Sequence, residues 1–136
     1  MVVLNKLLKP LYYTLKLAFY YKDPRFITSC VISRNLPRST IIPHPIGIVI
    51  GKENGVTIGE GCTIMQNVTI GVKNLNQKKG PDIGNNVFIG ANCVIVGDIT
   101  IEDNVIIGAG SFIDFSIEKN KKVFRSSEYR VIDYDA

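Results

Sequence analysis

Isoleucine returns at every sixth position between residues 83 and 113, and this spacing restricts the possible folds more than any other feature of the chain. The six positions are Ile83, Ile89, Ile95, Ile101, Ile107 and Ile113. A period of six fits neither an amphipathic helix nor a strand that simply alternates its faces. The repeat itself must therefore be the structural unit.

A second inward position lies four residues after each isoleucine, where every side chain is small or β-branched. These residues are Val87, Cys93, Ile99, Val105, Ser111 and Ile117. Two inward positions per six residues predict a short strand followed by a turn, and three such units close a triangular coil of about eighteen residues. The sequence thus predicts an all-β solenoid, a parallel β-helix.

The register extends towards the N-terminus with two interruptions. Six further positions keep the spacing: Leu36, Ile42, Ile48, Ile58, Ile64 and Ile70. Ten residues separate Ile48 from Ile58, and thirteen rather than twelve separate Ile70 from Ile83. Twelve positions predict four coils within a domain at residues 36–117. Loops leave the coils at the two interruptions, and loops on a rigid scaffold often carry function.

The two ends of the chain differ from the repeat. Residues 1–35 are predicted to form an amphipathic helical segment and a linker, because leucines recur at three- and four-residue steps with lysines between them. Two interpretations stay open: a helix in peripheral contact with a membrane surface, or a cap on the first coil or on a neighbouring subunit. Residues 118–136 are predicted to be a C-terminal tail, with one more strand as the alternative.

Composition excludes several classes of function. The net charge is +4, without an arginine-rich stripe interleaved with aromatics, which argues against nucleic-acid binding but suits a phosphorylated small ligand. The three cysteines form neither a C-x-x-C pair nor a metal-binding spacing, so no metal site is predicted. Free thiols are typical of a reducing cytoplasm, the predicted location.

His44 is the one histidine of the chain and the candidate general base. It lies between Pro43 and Pro45, close to the first interruption of the register. Histidine titrates near neutrality and can therefore accept the proton of a hydroxyl nucleophile. On spacing alone, both a catalytic and a structural role remain open.

Two sequence blocks carry a resemblance to a known family. They are the His-Pro-Ile-Gly-Ile-Val block at residues 44–49 and the Gln-Asn-Val-Thr-Ile-Gly block at residues 66–71. Together with the repeat they resemble the serine O-acetyltransferase branch of the hexapeptide-repeat acyltransferases, over roughly residues 41–111.

The resemblance implies a left-handed β-helix, assembled as a homotrimer with active sites between neighbouring prisms. It implies that His44 is the general base for acetyl transfer from acetyl-CoA, the co-substrate, to a hydroxyl. Backbone N–H groups near Gly71 and Val72 would stabilise the oxyanion. The implied cofactor-binding residues are Gly71, Val72, Gly90, Ala91, Gly108 and Ala109.

Departures from the family pattern leave the acceptor open. The chain has no histidine within residues 73–82, no matching upstream aspartate and no Gly-x-Pro-Ala-Lys ending. Cofactor phosphates would then be bound by a lysine, with Lys78, Lys79, Lys119 and Lys121 as candidates. The alternatives are a serine acetyltransferase, an enzyme that acetylates a sugar of a surface polysaccharide, and a non-catalytic β-helix scaffold. A zinc-dependent carbonic anhydrase of this fold is excluded, because it needs three histidines.

Overall fold

The computed structural model describes residues 30–32, 36–51 and 55–125, which form a three-sided parallel β-helix. Its strands are two or three residues long, because a turn follows each pair of inward side chains. They are β1 (Val49–Ile50), β2 (Thr57–Ile58), β3 (Thr63–Ile64), β4 (Thr69–Gly71), β5 (Asp82–Ile83), β6 (Phe88–Ile89), β7 (Val94–Val96), β8 (Thr100–Ile101), β9 (Ile106–Ile107), β10 (Phe112–Ile113) and β11 (Lys122–Val123).

Three parallel sheets form the sides of the prism. Sheet A has the order β1-β4-β7-β10, sheet B the order β11-β9-β6-β3, and sheet C the order β2-β5-β8. The chain runs from A to C to B and back to A, so each coil crosses three edges. Edge 1, from B to A, holds the turns at 43–48, 65–67, 90–92, 108–110 and 124–125. Edge 2, from C to B, holds 59–61, 84–86, 102–104 and 118–121, and edge 3, from A to C, holds 51, 55–56, 71–81, 97–98 and 114–116.

The predicted isoleucine ladder forms the core. Parallel pairing places Ile89 between Ile64 and Ile107, and Ile95 between Ile70 and Ile113. These side chains are at most 1% exposed. The predicted companion positions are also buried: Val87, Cys93, Ile99, Val105, Ser111 and Ile117. On each side of the prism, the companion residue points inward, the next residue points outward and the isoleucine points inward. Two of every six residues therefore face the narrow interior.

The predicted register at Ile48 was wrong. Strand β1 aligns Ile50 with Ile70, so Ile50 holds the isoleucine position and buried Ile48 holds the companion position. Eight residues separate Ile42 from Ile50, because the turn that contains His44 is two residues longer than the standard turn. Ile48 and Ile50 are both inward on one strand, and spacing alone could not distinguish them.

The second interruption is a longer excursion than the sequence indicated. Strand β4 is followed directly by β5, so residues 72–81 form a loop on edge 3. Within it, the Lys73 N–H donates to Gln77 Oε1 at 2.8 Å. Ion pairs connect Lys73 to Asp114 at 2.9 Å and Lys79 to Asp98 at 3.2 Å. The loop is therefore held against later turns of the same edge.

The prism continues beyond residue 117. Ile117 bridges to Ile101, and β11 pairs in parallel with β9, so regular pairing extends into the segment predicted as a tail. The helical segment predicted within residues 1–35 lies almost entirely outside the described residues, and the domain boundaries stay predictions. In the part of the chain that the structure describes, no helix has the length and apolar character needed to span a membrane.

Residues with positive φ occur on all three edges, including Gly55 and Gly97 on edge 3, and edges 1 and 2 have one in nearly every turn. Edge 1 has Gly47, Asn67, Asn92 and Gly110 at φ between 57° and 72°, and edge 2 has Gly61, Asn86, Asn104 and Asn120 at φ between 54° and 69°. Asparagine is one of the few residues other than glycine that adopts this conformation readily. The asparagines also form ladders between coils, such as Asn104 Nδ2 to Asn120 Oδ1 at 3.1 Å.

Candidate functional site

His44 lies on edge 1, in the first described turn, and is exposed. The Ile46 N–H donates to the His44 carbonyl at 2.8 Å, and the Asn67 N–H donates to the Ile46 carbonyl at 2.9 Å. Gly47 has φ of 65°, and a Cβ there would overlap the Asn67 side chain. The turn is thus seated closely on the next coil, and its imidazole faces outward.

Four of the six predicted cofactor-binding residues lie on the same edge as His44. Gly90 and Ala91 are in the third turn of edge 1, and Gly108 and Ala109 are in the fourth. Because coils are spaced by about 4.8 Å, these turns lie about 10 and 14 Å along the edge from the His44 turn. Among the described residues, the N–H groups of Ala91 and Ala109 meet no acceptor. Edge 1 therefore offers free backbone donors in line with the imidazole, with the Gln66 N–H in the second turn as a further one.

The glycines of these turns have a structural explanation. A Cβ on Gly90 would lie 2.5 Å from the Ala109 nitrogen, and one on Gly108 would lie 3.0 Å from the Phe124 Cβ. The close stacking of successive coils therefore requires glycine at residue 90 and leaves little room for a side chain at residue 108. Any ligand on this edge would meet Ala91 and Ala109 instead.

Gly71 and Val72 lie on edge 3, away from His44. The strand between the two edges, from Asn67 to Gly71, spans roughly 13 Å at about 3.3 Å per residue. A Cβ on Gly71 would meet nothing within 4 Å, and the Val72 N–H has no acceptor among the described residues. One protomer thus separates the predicted site into two parts, on opposite edges of sheet A.

The lysines considered for phosphate binding lie elsewhere. Lys119 and Lys121 are on edge 2, and Lys78 and Lys79 are on edge 3, where Lys79 is paired with Asp98. The described part of edge 1 instead includes a groove of about 320 Å³ whose lining includes Phe112, Phe124 and Arg125. Sequence reasoning missed this groove, because Phe124 and Arg125 follow the last regular repeat and join Phe112 only through the pairing of β11.

The outward residues of two sides of the prism are mostly apolar, and those of the third side are polar. Val31, Val49 and Phe112 on sheet A are 40–58% exposed. On sheet B, Ile41, Phe88 and Ile106 are 39–57% exposed. Sheet C presents Thr57, Asp82 and Thr100. The two apolar sides meet at edge 1.

The buried thiols are not part of this site. Burial raises the pKa of the Cys62 and Cys93 thiols, and each Sγ lies 3.1 Å from a carbonyl oxygen of the next coil. Both are fully buried, as their inward positions predicted. Within residues 30–32, 36–51 and 55–125, no group of three or more His, Cys, Asp or Glu side chains could hold a metal ion.

Comparisons with known proteins point to one enzyme family. Residues 80–114 match the family model described as bacterial transferase hexapeptide (six repeats). A serine acetyltransferase of Staphylococcus epidermidis is 37% identical over 108 residues, which cover 68% of this chain and 50% of that protein. A serine acetyltransferase of Staphylococcus xylosus is 41% identical over 92 residues, which cover 65% of this chain and 42% of that protein. The chain thus spans half or less of the length of these relatives.

Solved structures give the same result. Serine acetyltransferase isoform 3 of Entamoeba histolytica, in complex with cysteine, has a TM-score of 0.59 and 36% identity over 72% of this chain and 37% of that chain. The serine acetyltransferase of Neisseria gonorrhoeae, in complex with serine, has a TM-score of 0.59 and 31% identity over 65% of this chain and 36% of that chain. The parallel sheets, the hexapeptide repeats and these neighbours fit the predicted left-handed β-helix.

Proposed function

We propose that this chain, which resembles hexapeptide-repeat acyltransferases of the serine acetyltransferase type, transfers an acetyl group from acetyl-CoA to the hydroxyl of a small acceptor. The observation that carries the proposal is the alignment on edge 1 of exposed His44 with the free N–H groups of Ala91 and Ala109. Serine is the first acceptor to test, because the similar structures include complexes with serine and with cysteine. A sugar hydroxyl is the alternative, since the loop at residues 72–81 contains no histidine.

The proposed chemistry uses His44 as a general base. Its imidazole takes the hydroxyl proton while the hydroxyl oxygen attacks the thioester carbonyl carbon, forming the new C–O bond. The tetrahedral intermediate then collapses, the C–S bond breaks, and the departing sulfur receives the proton from the imidazolium. Base assistance of this kind contributes ~10² to 10⁴ in rate.

Edge 1 suits an extended cofactor. The amide carbonyls of the pantetheine arm can accept hydrogen bonds from the Ala91 and Ala109 N–H groups. The groove at Phe124 and Arg125 lies four coil spacings from the His44 turn, about 19 Å. An extended pantetheine arm spans about 16 Å by its bond lengths. The groove could thus receive the nucleotide end, with Phe112 and Phe124 against the base and Arg125 near the phosphates.

The second half of the site would come from another copy of the chain. The apolar sides A and B meet at edge 1, so their burial against neighbouring copies would place edge 1 in an interface. A homotrimer of this kind could bring Gly71 and Val72 of one copy opposite His44 of the next, where the Val72 N–H would face the oxyanion. Peripheral membrane contact through residues 1–35 and a cytoplasmic location stay predictions.

The first test replaces the proposed base. His44→Ala should lower acetyl transfer by ~10² or more, because the acceptor hydroxyl loses its base. Release of free CoA thiol from acetyl-CoA is measured with serine, amino sugars and neutral sugars. Lys119→Ala on edge 2 is the matched control and should keep parental activity.

The state of the variant decides how the result is interpreted. Oligomeric mass and acetyl-CoA binding should be unchanged in His44→Ala, since the side chain is exposed. Activity within a few fold of the parent would reject His44 as the base. A parent protein that releases no thiol with any acceptor would favour the scaffold alternative.

A mixing experiment tests the shared site. Gly71→Val should fold normally, because a Cβ there meets nothing within 4 Å, but it should lose activity if the cofactor approaches Gly71. Refolding it together with His44→Ala should restore about a quarter of parental activity, because a site that takes each half from a different copy is then sometimes intact. Two inactive variants that stay inactive after mixing would contradict the shared site.

A further inference from the structure

One buried side-chain oxygen without a partner lies in the turn that follows His44 along edge 1. Gln66 Oε1 has less than 1 Å² of accessible surface and no hydrogen-bond partner. Two backbone hydrogen bonds join its turn to the neighbouring coils: the Gln66 carbonyl accepts from the Asn92 N–H at 3.0 Å, and the Asn67 N–H donates to the Ile46 carbonyl at 2.9 Å. An acceptor that is buried unpaired loses its hydration without compensation, so its retention requires an explanation.

Gln66 lies in the turn of edge 1 that stacks on the turn of His44. The Asn67 to Ile46 hydrogen bond joins the two turns, and adjacent coils are about 4.8 Å apart. A glutamine side chain extends its oxygen about 4–5 Å from Cα. Its torsions have several staggered positions, so the oxygen can turn towards a donor in the turn above.

No carboxylate in the described turns of edge 1 could accept a hydrogen bond from the His44 ring. A histidine base needs an acceptor for its second ring N–H, which fixes the tautomer and the orientation of the ring. No aspartate or glutamate occurs in the five turns of edge 1. The two asparagines there are joined to each other, with Asn67 Nδ2 donating to Asn92 Oδ1 at 3.1 Å.

We propose that Gln66 is the positioning residue of His44, with Oε1 accepting a hydrogen bond from the ring N–H that faces away from the acceptor hydroxyl. The inference rests on the proposed function, since it assumes that His44 is the base. It assigns to a neutral amide the orienting role for which the sequence offers no matching carboxylate.

The test compares activity and stability in Gln66→Met, which keeps the length of the side chain and removes its polar atoms. We expect kcat to fall about tenfold or more, because the ring is no longer held in its reactive orientation. The KM values for acetyl-CoA and acceptor should stay within twofold. The thermal unfolding midpoint should fall by no more than about 6 °C, because a single hydrogen bond contributes about 0.5–1.5 kcal/mol. Gln66→Glu keeps an acceptor oxygen and should recover much of the lost kcat.

Thr40→Val is the matched control. Thr40 Oγ1 is the other buried oxygen without a partner in the described residues, and Thr40 precedes the His44 turn and lies in none of the edge 1 turns. Its replacement by the isosteric valine removes a buried oxygen that has no partner, so it should maintain or raise the unfolding midpoint and leave kcat unchanged. This comparison separates the removal of an unpaired oxygen from the loss of a positioning contact.

A double-mutant cycle then asks whether Gln66 acts through His44. In the His44→Ala background, Gln66→Met should change residual activity by less than twofold. Independent multiplication of the two effects or a raised acceptor KM in Gln66→Met would overturn the proposal. If His44→Ala itself retains activity, the proposed function fails instead, so the two failures are distinguishable.

Discussion

Replacing Asn104 by alanine should destabilise the protein more than replacing it by glycine. Asn104 has φ of 58° in an edge 2 turn, and its Nδ2 donates to Asn120 Oδ1 at 3.1 Å. Both substitutions remove this ladder contact, which is exposed and contributes about 0.5–1 kcal/mol. Alanine must in addition hold a left-handed conformation that costs about 1–2 kcal/mol, whereas glycine adopts it freely.

The two variants should therefore differ by about 1 kcal/mol after allowance for the larger unfolded-state entropy of glycine. For a chain of this size, that corresponds to roughly 3–5 °C in the unfolding midpoint. Glycine is already present at one such position of this protein, because Gly61 occupies the equivalent place in an earlier turn of edge 2 with φ of 69°. The reversal is diagnostic, since alanine is normally the more stabilising of the two residues.

Thermal unfolding followed by circular dichroism at one fixed protein concentration measures the difference, because assembly would make the midpoint concentration-dependent. Asn76, exposed in the loop at residues 72–81 and absent from the positive-φ positions, is the matched control. There alanine should be at least as stable as glycine. An Asn104→Ala variant as stable as Asn104→Gly would refute the assigned turn geometry.

Two further predictions concern the interior of the prism. Ile89→Asp should prevent folding to soluble protein, because Ile89 is fully buried between Ile64 and Ile107 and a carboxylate there has no partner; soluble protein with a parental circular dichroism spectrum would contradict the stacking. Burial raises the pKa of the Cys62 and Cys93 thiols above the ordinary value of 9.0, so the unfolded chain releases protons that the folded chain retains, and stability should fall as pH rises above about 9. Alanine at both positions should make that fall shallower, and an unchanged slope in pH-dependent unfolding would speak against it.

The fold was predictable because its constraint is local and repeated. The spacing of Ile83 to Ile113 encodes which side chains face inward, and every one of these residues is buried. The same spacing failed at Ile48, because two lengthened turns, before and after Ile50, sum to the same distance as one standard and one long interval. The spacing of isoleucines gives the total number of residues between Ile42 and Ile58. It does not show how many of those residues belong to each of the two turns between them.

The candidate site was predictable only in part. The sequence identified His44 as the single imidazole, and the resemblance nominated six glycine, alanine and valine positions. The sequence could not show that residues 90 and 108 are glycines because the next coil stacks closely on them, since these contacts join residues sixteen or more positions apart. The unpaired oxygen of Gln66 was equally invisible, because burial of one atom depends on how neighbouring turns pack.

The sequence alone determined a parallel β-helix and the inward positions of its regular coils, because side-chain alternation and coil length are properties of consecutive residues. Only the tertiary structure decided which residues share an edge: His44 with Ala91, Ala109 and the groove at Arg125, and Gly71 with Val72 on the opposite edge of sheet A. The reason is that each insertion shifts every later turn, so the grouping of distant residues follows from strand pairing across coils.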